Sequence, residues 1–389
     1  MIGTVYTSEK STFTDMVSGQ KITQLTNRGI NFHLYFTDNS FDINENEIYF
    51  VSNRGQEEKE IFNLFRMDLE SGIMTQLTDD PEGIEVGRIT KTPDSEYIAY
   101  ITGQKLRLLN TKTGKNEVLY EEDRMLLQNI FFSCDKKTIG FARNEDVSAL
   151  PDGGPNYAGF KDKMFATKDG RVSMINLDGT GFHDVFRDTH WLGHFQFSPD
   201  DPDIAMFCHE GPWNFVQQRI WLINMRTKEI WPCFRQKESD CVGHEFLAQN
   251  GDIIFDNRRD GHDGTISDSK TQVYAADKKA GTEMPYFGFA HKDGKVYKKV
   301  DMPYYCNHYF ANRDLSLFVG DAVENIVLIK PEDDGSTKIK ILANHNTTWH
   351  YQRSHCHPTF SWSGKKLLYA ADTDRWHDNL FLTDVPETI

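Results

Sequence analysis

The sequence predicts an all-β protein, a seven-bladed β-propeller of four-stranded blades closed by an N-terminal strand that completes the last blade. Three observations predict it: a text that recurs seven times, the spacing of its copies, and a match between the two ends of the chain. The recurring text is an apolar anchor, a polar turn and, seven positions after the anchor, an apolar residue that opens a hydrophobic strand. It stands as Phe41/Ile48, Lys91/Ile98, Phe132/Ile139, Phe197/Ile204, Phe246/Ile253, Phe310/Leu317 and Phe360/Leu367, with Lys91 the one polar anchor. Successive copies lie roughly 40 to 65 residues apart, the period of four-stranded blades with variable loops.

Each blade element has its own signal. In "NLFRMDLESGIMTQLTDD" (63–80), "LFRMDL" is a strand, "ESG" a turn and "IMTQLT" the next strand, by alternation and turn chemistry. "KLRLLNTKTGKNEVLY", "RVSMINLDGTGFHDVF" and "RIWLINMRTKEIWPCF" repeat that pattern. The last copy, "NLFLTDVPETI", has only a third strand before Ile389. Its fourth is expected at the other end, in "QKITQLTN" (20–27), nearly the same text as "MTQLTDD". Pairing of the two ends removes an open sheet edge. Residues 145–170, rich in Gly and Pro, and residues 275–305 are expected to leave the repeat, and the whole of 1–389 to form a single domain. A pair of β-sandwiches accounts less well for the strand count and the matching ends.

Composition bounds the partners. Against 43 Lys and Arg stand 58 Asp and Glu, a formal charge of −15, with no basic run. A nucleic-acid partner is therefore not expected, and a polyanionic ligand needs a locally positive pocket. No segment approaches the roughly 18 consecutive apolar residues of a membrane span. The start "MIGTVYTSEKSTFTDM" has neither the basic nor the apolar part of a signal peptide, and six scattered cysteines without a CxxC fit reduced thiols. The expected location is cytoplasmic.

Histidines gather just ahead of the anchors. His194 precedes Phe197, His244 precedes Phe246, His308 precedes Phe310, and His355 and His357 precede Phe360. In a propeller these strand starts converge at one end of the channel, where ligand sites of closed β folds lie. A His-x-His pair on a strand points both rings to one face, with Cys356 turned to the other. His308, His355 and His357, with Gln352 from the preceding loop, can then reach one ion; nitrogen donors and an amide oxygen suit zinc, manganese, iron or nickel. Histidines hydrogen-bonded to loop backbone are the competing reading. Arg219, in "CHEGPWNFVQQRIWLIN", is a further candidate, and Arg258 with Arg259 reads as a turn. No GxSxG elbow or Cys/His pair supports covalent hydrolysis.

The texts "HEGPW", "RIWLIN", "GHEF", "CNHYFANRDLSLFVGD" and "QRSHCHPTF" resemble the oligogalacturonate lyases of pectin-degrading bacteria, and the likeness extends to "ITQLTNRGINFHLYFTDNSFDINENEIYF". The resemblance implies a seven-bladed propeller holding a divalent metal, usually manganese, on three histidines and a glutamine, here His308, Gln352, His355 and His357. It places the proton-abstracting histidine on His244 and the catalytic arginine on Arg219. His209, Arg54 and Arg353 are expected as contacts to the substrate carboxylates. The chain departs from the pattern at Trp213, where a histidine is expected after "HEGP".

The implied chemistry is β-elimination from a short oligogalacturonate. The proton at C5 is weakly acidic while the neighbouring carboxylate keeps its charge. A cation and an arginine at that carboxylate stabilise the developing dianion. A neutral histidine, with an ordinary pKa of about 6.5, can take the proton. The product carries a 4,5-unsaturated uronate. A non-catalytic propeller scaffold or ligand-binding protein, or a lyase for a different uronate, are the alternatives, because propeller fold alone does not fix function.

Overall fold

The computed structural model describes residues 1–150, 159–213, 215–238, 240–258, 285–349, 351–374 and 377–389. Its strands form seven antiparallel sheets in chain order, five of four strands and two of five. The architecture is the predicted seven-bladed β-propeller, with one short α-helix among the described residues, Phe160–Ala166. The chain divides into two compact units, Met1–Glu96 with Cys306–Ile389, and Tyr97–Tyr305.

The recurring text has a physical basis. The first strand of a blade runs into the anchor, as in Leu192–Phe197 or Thr359–Phe360, and the polar turn leads to a buried second strand. In six of the seven turns, a side chain three or four residues past the anchor accepts the backbone N–H two residues on. Asp94 accepts from Glu96 at 3.2 Å, Asp135 from Lys137 at 3.2 Å, Asp201 from Asp203 at 3.0 Å and Asn250 from Asp252 at 3.1 Å. Asp314 accepts from Ser316 at 3.0 Å and Ser363 from Lys365 at 3.3 Å. These Asx and Ser turns close the hairpin locally. The second strands, such as Glu47–Ser52 and Ile253–Asn257, are buried on both faces, which is why they read as continuous apolar runs. Tighter turns need glycine: Gly72 has φ 75°, and a Cβ there would lie 2.2 Å from Ser8 Oγ.

In the first unit, Lys21–Gln24 pairs with His377–Asp384 in the register Ile22↔Thr383, Thr23↔Leu382, Gln24↔Phe381. The predicted closure of the last blade is therefore observed. Ser11–Thr14 adds a fifth strand outside it, and Val5–Tyr6 adds a fifth strand to the first blade at Met74–Gln76; the sequence reading missed both. Apolar clusters fill the space between neighbouring sheets. One joins Ile22, Val319, Leu328, Cys356, Leu367 and Phe381; another joins Phe41, Phe50, Phe65 and Leu368. Lys91, the polar anchor, is buried with its ammonium 5.9 Å from both the Tyr49 and Trp362 rings. Burial lowers it to about 8.

In the second unit, Met125–Phe132 packs on Leu192–Phe197, and that strand packs on Val242–Leu247. Of residues 145–170, Glu145 and Gly170 belong to paired strands and 151–158 lie outside the described residues. Between them the helix Phe160–Ala166 leaves the repeat, and Phe160 meets the Trp191 ring edge-on at 5.2 Å. The expectation for 275–305 needs correction. Tyr286–Ala290 and Val296–Asp301 are the third and fourth strands of the fifth blade, and residues 275–284 lie outside the described residues. "YFGFA" is a strand buried on both faces, and its lack of alternation hid it.

The closing strand should carry measurable stability. Ile22 is fully buried between sheets, so Ile22→Ala is expected to cost about 2–4 kcal/mol in urea denaturation. Met16→Ala, at a 94% exposed position, is expected to stay within about 0.5 kcal/mol of the parent.

Candidate functional site

The first unit holds a compact histidine cluster. His308, His355 and His357 are buried, and each offers a ring nitrogen within 4.8 Å of the other two. The His308 and His357 ring centroids are 4.3 Å apart, and His355 lies 5.6 and 5.7 Å from them. The expected strand geometry for His355 and His357 is not what assembles them. Gln352–Ser354 forms a 3-10 turn, His355 follows it, and His357 takes φ 44° before the strand starts at Thr359. A left-handed residue re-aims the chain, so the loop itself brings both rings to one side.

Two hydrogen bonds fix that loop through one atom. The Cys356 carbonyl accepts Ala370 N–H at 3.0 Å and His33 Nε2 at 3.1 Å. The Cys356 side chain sits in the apolar cluster and burial pushes its thiol well up, so it is no ligand candidate, as expected. Asp321 accepts His308 Nδ1–H at 2.7 Å and His308 backbone N–H at 2.6 Å. Asn307 Nδ2 lies 3.4 Å from both His308 Nε2 and His355 Nδ1. Burial raises Asp321 to about 8, while the His308 N–H opposes the shift. Tyr35 and Phe36 wall the cluster, at 4.9 Å from His357 and 5.2 Å from His308.

These residues fit a divalent cation. His357 Nε2 is buried without a hydrogen-bond partner among the described residues, an arrangement that costs free energy unless something else uses the lone pair. Burial first, then the neighbouring His308, His355 and His33, hold His357 well below the ordinary imidazole value, so it is a neutral donor. Gln352 opens the 3-10 turn directly before His355, whose backbone N–H it accepts at 3.3 Å. His33, Asn307 and Asp321 were missed. His33 lies eight residues ahead of its anchor Phe41, beyond the two to five positions at which the other histidines stand.

The second unit brings His194 and His244 together, ring centroids 5.8 Å apart and near-parallel. Trp213 meets His244 edge-on at 5.9 Å and carries the Arg258 guanidinium on its face at 3.2 Å. Arg258, read as a turn residue, is thus buried; Arg259 lies outside the described residues. Arg219 is 1% exposed and fully engaged on one side: its Nε donates to Glu245 at 2.8 Å and its Nη1 to Glu210 at 3.0 Å. Its Nη2 has no hydrogen-bond partner among the described residues. His194 faces the same carboxylates, Glu245 at 3.1 Å and Glu210 at 3.6 Å.

The three expected carboxylate contacts all have protein partners. Arg54 is buried against Glu9, with Nη2 also donating to Asn31 at 3.2 Å. Arg353 donates to Asp378 and Glu60, both at 3.1 Å, and stacks on Tyr351 at 4.1 Å. His209 reaches Asp188 at 3.2 Å and lies parallel to the His190 ring at 4.1 Å. Asp188, His190 and His209 are a second histidine–carboxylate group with close ligand atoms.

The family model that describes oligogalacturonate lyases matches residues 3–389. The chain belongs to that family. The expected enzyme class, a carbon–oxygen lyase of oligogalacturonides, stands with it. An oligogalacturonate lyase of Dickeya dadantii (strain 3937) is 25% identical, covering 97% of this chain and 96% of that protein. An oligogalacturonide lyase of Pectobacterium atrosepticum is 23% identical with the same coverage. Among solved structures, an oligogalacturonate lyase in complex with manganese superposes with TM-score 0.83 at 20% identity, covering 99% of this chain and 98% of that one. One from Vibrio parahaemolyticus gives TM-score 0.84 at 21% identity, covering 100% and 99%. These two likenesses are of fold. No helix among the described residues is long and apolar enough to cross a membrane.

Two outcomes follow from the geometry. Titration calorimetry with Mn2+ is expected to show His357→Ala weakening binding by about 100-fold or more, while His190→Ala leaves it unchanged; the reverse pattern would move the metal to the Asp188 group. His209 is held at about 4 by burial and by His190, below its ordinary value. Its contribution is intact above about pH 6.5 and is lost as the pH falls toward 4. His209→Gln should therefore flatten the fall of unfolding free energy across that window.

Proposed function

We propose that this chain cleaves short oligogalacturonates by β-elimination, with His244 as the base that takes the C5 proton and a divalent ion, manganese in the first place, on His308, Gln352, His355 and His357. The observation that carries the reading is the buried three-imidazole cluster with a bare His357 Nε2, in a chain of this family. The Dickeya and Pectobacterium relatives are lyases of the same named substrate class, and the manganese-bound relative supports the choice of ion.

The metal supplies positive charge at the uronate carboxylate. The chain's own groups account for the rest. The proton leaves C5 for the His244 ring, the C5–H electron pair becomes the C4–C5 double bond, and the C4–O4 bond breaks with its pair on oxygen. His244 is enclosed by Trp213 and His194, which limits the ring's freedom and keeps water few. Arg219 is assigned to the uronate carboxylate through Nη2, because Glu245 and Glu210 take Nε and Nη1. Those two carboxylates aim the guanidinium and lock its plane. Arg54, Arg353 and His209 are proposed only as more distant contributors to substrate affinity, since each already holds a carboxylate. All six cysteines are free thiols, which supports action in the cytoplasm, and the acidic balance of the chain disfavours a nucleic-acid partner.

Purified protein with di- and trigalacturonate should develop ultraviolet absorbance from the new double bond, lose the activity with chelator and regain it with Mn2+. His244→Ala should lower kcat by about 10²- to 10⁴-fold. Activity indifferent to chelation would remove the metal from the mechanism. Absence of any absorbance rise on galacturonates, with wild-type metal binding intact, would leave another uronate or a binding role.

A further inference from the structure

We infer that Asp321 is the positioning residue of the metal centre: it holds His308 in the tautomer whose Nε2 lone pair would be free to take the ion. The inference rests on the metal site proposed above. In the sixth blade the ladder pairs Tyr309 with Gly320, so Asp321 stands directly across from His308. Cross-strand neighbours are close enough for side chain to meet backbone and side chain at once. Asp321 Oδ1 accepts the His308 backbone N–H at 2.6 Å, and Oδ2 accepts from His308 Nδ1 at 2.7 Å. Both residues are fully buried, so no water competes for either oxygen.

In its ionised form Asp321 only accepts, which places the proton on His308 Nδ1 and leaves the lone pair on Nε2. The Asn307 amide lies 3.3 Å from His308 Nδ1, 3.4 Å from its Nε2 and 3.4 Å from His355 Nδ1; with Nδ1–H given to Asp321, Nε2 is the His308 nitrogen left to accept. Two imidazole lone pairs thus face one amide, on the side where the third, His357 Nε2, lies bare. A histidine ligand whose other nitrogen donates to a carboxylate is oriented and made more basic.

The fifth blade shows that the second bond is not a requirement of the fold. There Asp256 holds the equivalent place at the end of the second strand, and its Oδ1 accepts Gly243 N–H at 2.9 Å. Its Oδ2 is buried, makes no hydrogen bond among the described residues and faces Arg258 Nε at 3.7 Å instead of an imidazole. Capping the start of the first strand therefore takes one oxygen. In the sixth blade the other oxygen is spent on an imidazole.

Asp321→Asn separates the two tasks, because an amide has one acceptor where the carboxylate has two. With its oxygen on the His308 backbone N–H, its NH2 faces Nδ1 and can only donate, which drives the proton to Nε2 and blocks the metal. The test is made on the full chain by calorimetry with Mn2+ and by nitrogen-15 imidazole spectra of the metal-free protein. Wild type should show His308 protonated at Nδ1, and Asp321→Asn should move the proton to Nε2 and weaken Mn2+ binding about 10- to 100-fold, with Asp321→Glu recovering part of it. Wild-type His308 protonated at Nε2, or Asp321→Asn binding Mn2+ as wild type does, would overturn the inference. The wild-type spectrum decides even if the variant does not fold. Failure of wild type itself to bind Mn2+ would instead count against the metal site.

Discussion

The carbonyl of Cys356 is the atom on which the histidine cluster depends. It accepts from Ala370 of the neighbouring strand and from His33 of the first blade, so the residues flanking it, His355 and His357, are fixed from two directions. Ala370 is in place because the last blade is a complete sheet, and that sheet is completed by Lys21–Gln24 from the other end of the chain. A loop of this kind would ordinarily be too mobile to preorganise two imidazoles. Here it is tied to a strand on one side and a buried histidine on the other, and the Cys356 thiol anchors it in the apolar layer beneath. Burial keeps His357 neutral and its lone pair unused, which is the state a cation requires.

The acid–base cluster of the second unit obeys a different constraint. Arg219 brings one positive charge, and Glu210 and Glu245 bring two negative ones, all in the interior. Such a group survives burial only because every charge is hydrogen-bonded to an opposite one. The attraction to Arg219 and His194 holds both carboxylates below their ordinary range against the effect of burial. The cluster is therefore a rigid frame, and without a proton on His194 it is one negative charge in excess. On a chain of formal charge −15, an arginine so balanced cannot by itself neutralise a uronate. The proposed elimination needs further positive charge, which a divalent ion on the histidine cluster would supply.

The fold was legible because each repeat satisfies the same local rules: an apolar anchor, a hydrogen-bonding turn and a doubly buried second strand. That legibility failed where a rule was met without its usual text. Tyr286–Ala290 lacks alternation because both faces are covered, and Val5–Tyr6 is too short to carry a pattern. In the site, His308, His355 and His357 were found because their numbers lie close to recurring anchors. Asp321 was hidden because its relation to His308 is one of register across a hairpin, and His33 because a long loop separates it from Phe41. Arg54 and Arg353 show the converse. A sequence offers a charge, but only coordinates reveal that Glu9 or Asp378 has already taken it.

Where the propeller repeats regularly, its strand starts are interchangeable; function enters where the repeat is broken. The first strands of the third, fourth and fifth blades each slip register, between Gln128 and Ile130, Gly193 and Gln196, and Val242 and Glu245. Asn129, His194 and His357 take φ of 44°, 48° and 44°. Histidine and asparagine are among the few side chains that tolerate this region, and a bulge turns a side chain away from the face that alternation would give it. A straight strand would have sent alternate residues into the apolar layers between sheets, where an imidazole has no partner. The irregularity lets one short segment bury an apolar residue, Phe197 or Phe360, and within three residues present an imidazole among other polar groups. At His194 and His357 the residue that precedes the anchor is also the one that takes the left-handed backbone, so the break and the imidazole coincide there.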